Sequence, residues 1–164
     1  MLTYEKLHEI LFYDRDTGIF TWKVKTAQRV HVGQRAGTIK TSDGYESISI
    51  ENKTYKSHRL AWLYETGSFP PSCIDHINRI KTDNRFINLR LADKKQNMEN
   101  TPLRKDNLSG SRGVSYRKTT KKWRAYLNHN KKHFHLGDFD TPEEAAAISD
   151  AKRKELFTHY ESKA

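Results

Sequence analysis

The chain has 164 residues, with 30 Lys and Arg against 20 Asp and Glu, a formal net charge of +10. That length fits one ordinary domain or two small ones and excludes a large multidomain enzyme, and with only 35% of residues hydrophobic and a mean hydropathy of −0.93 the core is modest. No apolar run approaches the roughly 20 residues needed to cross a bilayer, and a single cysteine, Cys73, excludes an intrachain disulfide and a Cys-rich zinc cluster.

Taken in chain order, the spacing of Leu7, Ile10 and Leu11 predicts a helix over 3–13, capped by Thr3. With Glu5, Glu9 and Asp14 it does not read as a secretory signal. Asp16-Thr17-Gly18 is a turn signal, followed by a strand from Ile19 to Lys25. Residues 26–38 read as loop. After the Asp43-Gly44 turn, Ile48 and Ile50 alternate with Ser47 and Ser49 as in a half-buried strand. Glu51-Asn52-Lys53 is the next turn and Thr54 to Lys56 a returning strand. Ser57 is placed to cap a helix whose face is Leu60, Leu63 and Tyr64 and whose stop is Gly67. A short strand surrounds Ile74, with Cys73 as a small packed side chain, and a helix runs from about Asp93 to Asn100.

Thr101 to Ser111 is rich in Ser, Asn and Gly and reads as a linker. Three strands follow: Gly113 to Lys118, Trp123 to His129, and Lys132 to Leu136 ending at Gly137. Thr141-Pro142-Glu143-Glu144 combines a cap, a proline at the first helical position and a capping box. The helix it starts runs to about His159, with Ala145, Ile148, Leu156 and His159 on one side.

The positive charge is unevenly placed. Residues 1–100 hold 16 basic and 12 acidic side chains, residues 101–164 hold 14 and 8. Between 104 and 135 lie ten cations, Arg104 and Lys105 among them, and one carboxylate, Asp106. Tyr116, Trp123, Tyr126 and Phe134 interleave them, a mix that suits phosphate contacts plus base or sugar packing. Nucleic acid is the partner this implies.

The stretch 75–97 carries the chemistry. Asp75 and His76 are adjacent, Asn88 lies twelve residues after His76, and Asn97 nine after Asn88. A carboxylate and an amide oxygen can share a hard divalent cation, and a neighbouring imidazole can take a proton from water. Metal and base together suffice for phosphodiester hydrolysis. Asn88 could brace the backbone or orient His76. The alternative is that Asn78, Asn84, Asn88, Asn97 and Asn100 serve only as turns and caps.

The Asp-His, Asn, Asn pattern, with SHRLAWLYETGSFP before it, DNRFINLR within it and QNMEN after it, resembles the active-site motif of phage-type HNH homing endonucleases. The resemblance implies a ββα-metal module over 45–100 in which Asp75 and Asn97 ligate one Mg²⁺ (or Mn²⁺). It implies that His76 is the general base and that Asn88 positions the loop and His76. Many relatives carry His where this chain has Asn97, and an amide oxygen is the harder ligand. Arg59, beside His58, would face the phosphate backbone or support the active loop; otherwise the pair caps or solvates its helix.

The order of elements at 110–160, with SRGVSYR, KKWRAYL and FHLGDFDTPEEAAAISDA, resembles the ethylene-response-factor (APETALA-type) DNA-binding domain. That family lays a three-stranded sheet in the DNA major groove. The resemblance points to Arg112, Arg117, Lys122, Trp123, Arg124, Tyr126, Lys132, His133 and His135 as DNA contacts, with core packing as the alternative for Trp123.

The expected fold is α+β: a ββα nuclease module, then a three-stranded antiparallel sheet packed on one helix. The expected segments are 1–44, 45–100, a linker over 101–110, and 111–164. The expected function is a metal-dependent endonuclease on double-stranded DNA, with no membrane and no obligatory protein partner, in the cytoplasm of a bacterial host. The competing reading is a non-catalytic, sequence-specific DNA-binding regulator.

Overall fold

The computed structural model describes residues 2–101, 103 and 107–160. Arg104, Lys105 and Asp106 of the expected linker lie outside them. The chain divides into two compact units, Met1–Asn97 and Met98–Ala164.

In the first unit the Thr3 hydroxyl accepts from the Lys6 N–H at 3.2 Å and opens α1 (Tyr4–Ile10). The helix expected to reach residue 13 stops early. Leu11 is extended and begins β1 (Leu11–Asp14), where it pairs with Trp22 of β2 (Ile19–Trp22). Leu7, Ile10 and Leu11 are all buried, so the apolar spacing is satisfied by a helix that hands over to a strand. β2 ends three residues before the expected Lys25. The expected loop holds β3 (Arg35–Ala36), which adds to β2, and leads into β4 (Thr38–Ile39).

β4 pairs with β5 (Glu46–Ile50), and β5 with β6 (Lys53–Lys56). The hairpin turns on Glu51 and Asn52, both at positive φ, the two-residue geometry that matches strand twist. Ile48 and Ile50 face the core, but Glu46 and Ser47 are buried as well. α2 (Ser57–Thr66) follows at once. Ser57 is inside it rather than capping it, and its hydroxyl is buried with no partner among the described residues. Gly67 closes α2 in the left-handed conformation (φ +77°), its N–H reaching Leu63 O at 2.9 Å.

β7 (Cys73–His76) pairs antiparallel with β8 (Leu89–Ala92), a strand the sequence pattern does not reveal. A 3-10 turn, Phe86–Asn88, precedes β8, and α3 (Lys94–Glu99) follows it. Asp93 and Gln96 exchange backbone-to-side-chain bonds of 2.7 and 2.8 Å at the start of α3. This is the ββα arrangement. Cys73, expected to be packed, is exposed. One apolar cluster serves the unit, drawing Leu7, Leu11 and Phe20 together with Ile48, Leu60 and Leu89.

That shared core fixes the β1–β2 turn against the loop before β8. Gly18 has φ +72°, and a Cβ there would stand 2.6 Å from the Asn84 carbonyl carbon. Gly18→Ala is therefore expected to cost about 2–3 kcal/mol, from backbone strain and overpacking together. Urea unfolding followed by Trp22 and Trp62 fluorescence, in a Trp123→Phe background, measures it. A loss below about 0.5 kcal/mol, the usual scatter of surface substitutions, would show that the turn does not press on this loop.

In the second unit β9 (Val114–Arg117), β10 (Lys122–His129) and β11 (Lys132–Phe139) form an antiparallel sheet with β10 central. β11 does not stop at Gly137. A bulge opposite Ala125 and Tyr126 absorbs one residue and the strand continues to Phe139. α4 (Pro142–Leu156) starts with the expected capping box: Glu144 N–H to Thr141 Oγ1 at 3.3 Å, and Thr141 N–H to Glu144 Oε2 at 3.4 Å. It ends three residues before His159. Its buried side is Ala145, Ser149 and Arg153, whereas Ile148 is exposed. Ser149 fits there because its hydroxyl donates to Arg112 O at 2.9 Å. Arg153 lays its guanidinium 5.4 Å from the Phe157 ring. The fold is α+β, as the sequence implies.

Candidate active site and DNA-facing sheet

Asp75 lies mid-β7, opposite Arg90 of β8. Its carboxylate is 6% exposed as a residue and takes Arg90 Nε at 2.9 Å and Nη2 at 2.8 Å. Both donors meet the one oxygen, Oδ2, and this pairing compensates the burial of the charge. Asn97 sits on α3, which leaves β8 after Asp93, and its backbone N–H reaches Asp93 O at 3.0 Å.

His76 ends β7 and is 4% exposed. Burial pushes its imidazole below the usual histidine range, with the Asn84 hydrogen bond and the Asp75 charge pulling the other way. The ring is therefore neutral near pH 7, the form a base requires. His58 of α2 stands edge-on to it at 5.1 Å between centroids, and Tyr45 lies 5.8 Å away. His58 is itself driven down to about 3, first by burial and then by the charges of His76 and Arg59. Its Nδ1 is buried without a partner among the described residues.

Asn88 holds the β7–β8 loop. Its Oδ1 accepts from Asn78 N–H at 2.9 Å, and its Nδ2 donates to Asp83 O at 2.9 Å and Asn78 Oδ1 at 3.0 Å. Asp83 in turn is held down to about 2 by hydrogen bonds from Arg85. Asn84 Oδ1 lies 3.4 Å from His76 Nε2. By sequence Asn84 reads only as a turn former. Its other contacts, Tyr13 and Glu46, lie far off in the chain, so no local pattern marks it.

Arg59, expected to face the phosphate backbone or support the active loop, contacts backbone carbonyls before β7. Its guanidinium takes Ser72 O and Pro70 O, both at 3.3 Å, and braces the approach to β7.

The donor chemistry at Asp75 and Asn97 fits a hard divalent cation. It offers carboxylate and amide oxygens, and one carboxylate can serve a guanidinium and a cation on different lone pairs. Among the described residues no three His, Cys, Asp or Glu side chains group as a metal cage.

On the second unit's sheet, strand alternation separates two faces. Val114, Ala125 and Leu127 are buried, and Trp123 and Phe139 pack on the cluster that includes Ala145 of α4. The opposite face carries Arg117 beside Lys122, Arg124 beside Asp138, Tyr126 beside His135, and Asn128 beside His133. Arg124 and His135 both approach Asp138, at 3.4 and 3.6 Å, and His133 Nδ1 lies 2.6 Å from Asn128 Oδ1. Two expected contacts fall on the other side. Trp123 is part of the helix-facing layer, and Lys132 pairs with His129 in that same alternation. Arg112 precedes β9 and gives its Nη1 to Glu99 O at 3.1 Å.

Among the described residues no helix is long and apolar enough to cross a membrane. Residues 55–99 match the HNH endonuclease family, and residues 109–158 match the AP2 domain. The chain is also similar to Protein 3.8 of Escherichia phage T7, at 31% identity over 103 residues, 62% of this chain and 85% of that protein. No solved structure matches it. With the Asp75–His76 hairpin and α3 inside the first match and the sheet and α4 inside the second, the chain belongs to the HNH endonuclease family and joins that module to an AP2 domain.

Proposed function

We propose that the chain is a metal-dependent endonuclease, of the phage homing type, that cuts double-stranded DNA in the cytoplasm of a bacterial host. The observation that carries the reading is His76: a buried, neutral imidazole next to an ordered carboxylate, at the end of the hairpin that the HNH match spans. Asp75 and Asn97 would hold the cation, Mg²⁺ or Mn²⁺. When bound, the ion supplies charge stabilisation at the phosphate and the leaving oxygen.

His76 takes the proton of the attacking water. The water oxygen bonds to phosphorus, the bond to the 3′ oxygen breaks, and the leaving 3′ oxygen takes a proton from solvent water, so 3′-hydroxyl and 5′-phosphate ends remain. Arg90 anchors the Asp75 carboxylate through its Oδ2, and Asn88 holds the loop that follows His76. Residues 45–100 act as the nuclease module and 111–164 as the reader, joined by 101–110. Arg117, Lys122, Arg124, Tyr126, His133 and His135 face DNA. Tethering raises the local concentration of the nuclease near the reader's site.

Supercoiled plasmid incubated with Mg²⁺ or Mn²⁺ is expected to nick or linearise, and EDTA to stop it. Binding measured by gel shift is expected to weaken with salt at a log–log slope of about −0.9 per phosphate contacted. Plasmid that stays supercoiled while still shifting on the gel would instead make the chain a DNA-binding regulator. A flat salt response would remove the electrostatic part of the reading.

A further inference from the structure

The geometry points to Asn84, backed by Glu46 and Arg35, as the positioning residue that fixes which nitrogen of His76 carries the proton. The connected contacts run inward from the surface. Arg35 of β3 gives Nη2 to Glu46 Oε1 at 2.9 Å. Glu46, at the start of β5, is 3% exposed, and a carboxyl paired with a guanidinium offers its oxygens as acceptors. Its second oxygen takes Asn84 Nδ2 at 3.1 Å. An amide placed so cannot turn over, because its carbonyl oxygen would then face the carboxylate.

Asn84 Oδ1 is thereby committed to His76, 3.4 Å from Nε2. A carbonyl oxygen only accepts, so Nε2 carries the hydrogen and Nδ1 carries the lone pair. Asn84 itself is 1% exposed, and its backbone oxygen takes the Tyr13 hydroxyl at 2.7 Å. The rings of His58 and Tyr45 flank the imidazole. Nδ1 is then the atom that receives the proton from water. The strands before the motif thus have a task in the chemistry: they hold an acceptor-only group behind the base.

The inference rests on His76 being the base, and the experiment separates the two. Long-range ¹H–¹⁵N spectra of the full chain, with His76 assigned by loss of its signals in His76→Ala, are expected to show the Nε2–H tautomer. Glu46→Gln keeps the shape but can donate or accept, so it is expected to give mixed tautomers. Asn84→Ala is expected to do the same. Each should lower kcat for plasmid cleavage about 10- to 100-fold, the range for lost partners of catalytic ligands, with KM little changed. An Nδ1–H tautomer in the unsubstituted chain overturns the inference, whatever the variants do. So does a tautomer and kcat unchanged in Glu46→Gln while His76→Ala is inactive, an outcome that leaves the nuclease reading standing. Wild-type cleavage by His76→Ala would sink that reading instead.

Discussion

Alanine at His76 is expected to slow plasmid cleavage by about 10²- to 10⁴-fold, the range a general base contributes, and to leave DNA affinity within about twofold. The two halves of that expectation come from different places in the molecule. The imidazole is 4% exposed, so it adds almost nothing to the surface that meets DNA, and phosphate contacts dominate affinity. On the proposed reading, the cations that would make such contacts are Arg117, Lys122 and Arg124, which share one face of the second unit's sheet. Losing the ring also leaves Asn84 Oδ1 short of a donor and opens a small cavity, so far-UV circular dichroism must accompany the rates. Single-turnover nicking and gel shift at one fixed salt concentration give the two numbers. A residual rate within tenfold of wild type would remove His76 from the role of base.

Mild acid is expected to destabilise the first unit through His58. Its folded-state value is about 3 against an unfolded value of about 6.5. Between those limits the unfolded chain binds a proton that the folded chain refuses. Stability is therefore whole above pH 6.5 and falls as pH drops. Each pH unit below that limit removes about 1.4 kcal/mol, so the loss reaches about 2 kcal/mol at pH 5 and about 3 kcal/mol at pH 4. His76, also lowered by burial, adds in the same direction. Asp83 has its value depressed to about 2, so its stabilisation is lost only below about pH 4, and the window from 6.5 to 5 belongs to the histidines. Urea unfolding at pH 7.5, 6, 5 and 4, with Trp22 and Trp62 as probes, checks the slope. His58→Gln should flatten it, and a wild-type profile already flat between 6.5 and 5 would show that His58 is not buried neutral.

Local chemistry is legible in the sequence and tertiary chemistry is not. Thr141 to Glu144 define a helix start within four residues, and Gly67 defines a helix end by its own conformation. Asp75, His76, Asn88 and Asn97 stand out because their types and intervals are contained in one stretch of chain. β8 escapes notice because four residues, Leu-Arg-Leu-Ala, become a strand only through the pairing of Asp75 with Arg90 and its neighbours. The inner side of α4 differs from the expected one because Ser149 and Arg153 are polar by type, yet a hydroxyl bond and a ring contact let them lie inward past Ile148. Asn84 cannot be told from a turn former, since its partners are Tyr13, Glu46 and His76. Each of these contacts exists only after β1, β5 and β7 have met.

The alternation along β10 has an evolutionary consequence. Trp123, Ala125 and Leu127 hold the second unit together, while Arg124, Tyr126 and Asn128 between them face outward. Outward positions can therefore be exchanged with little effect on folding, provided the register stays. On the proposed reading, a lineage of such chains would be free to drift to new DNA targets by point substitution, whereas insertion of one residue within the strand would swap the two sets and destroy both. If that face reads DNA, target choice is written in every second letter of a strand whose remaining letters must not change.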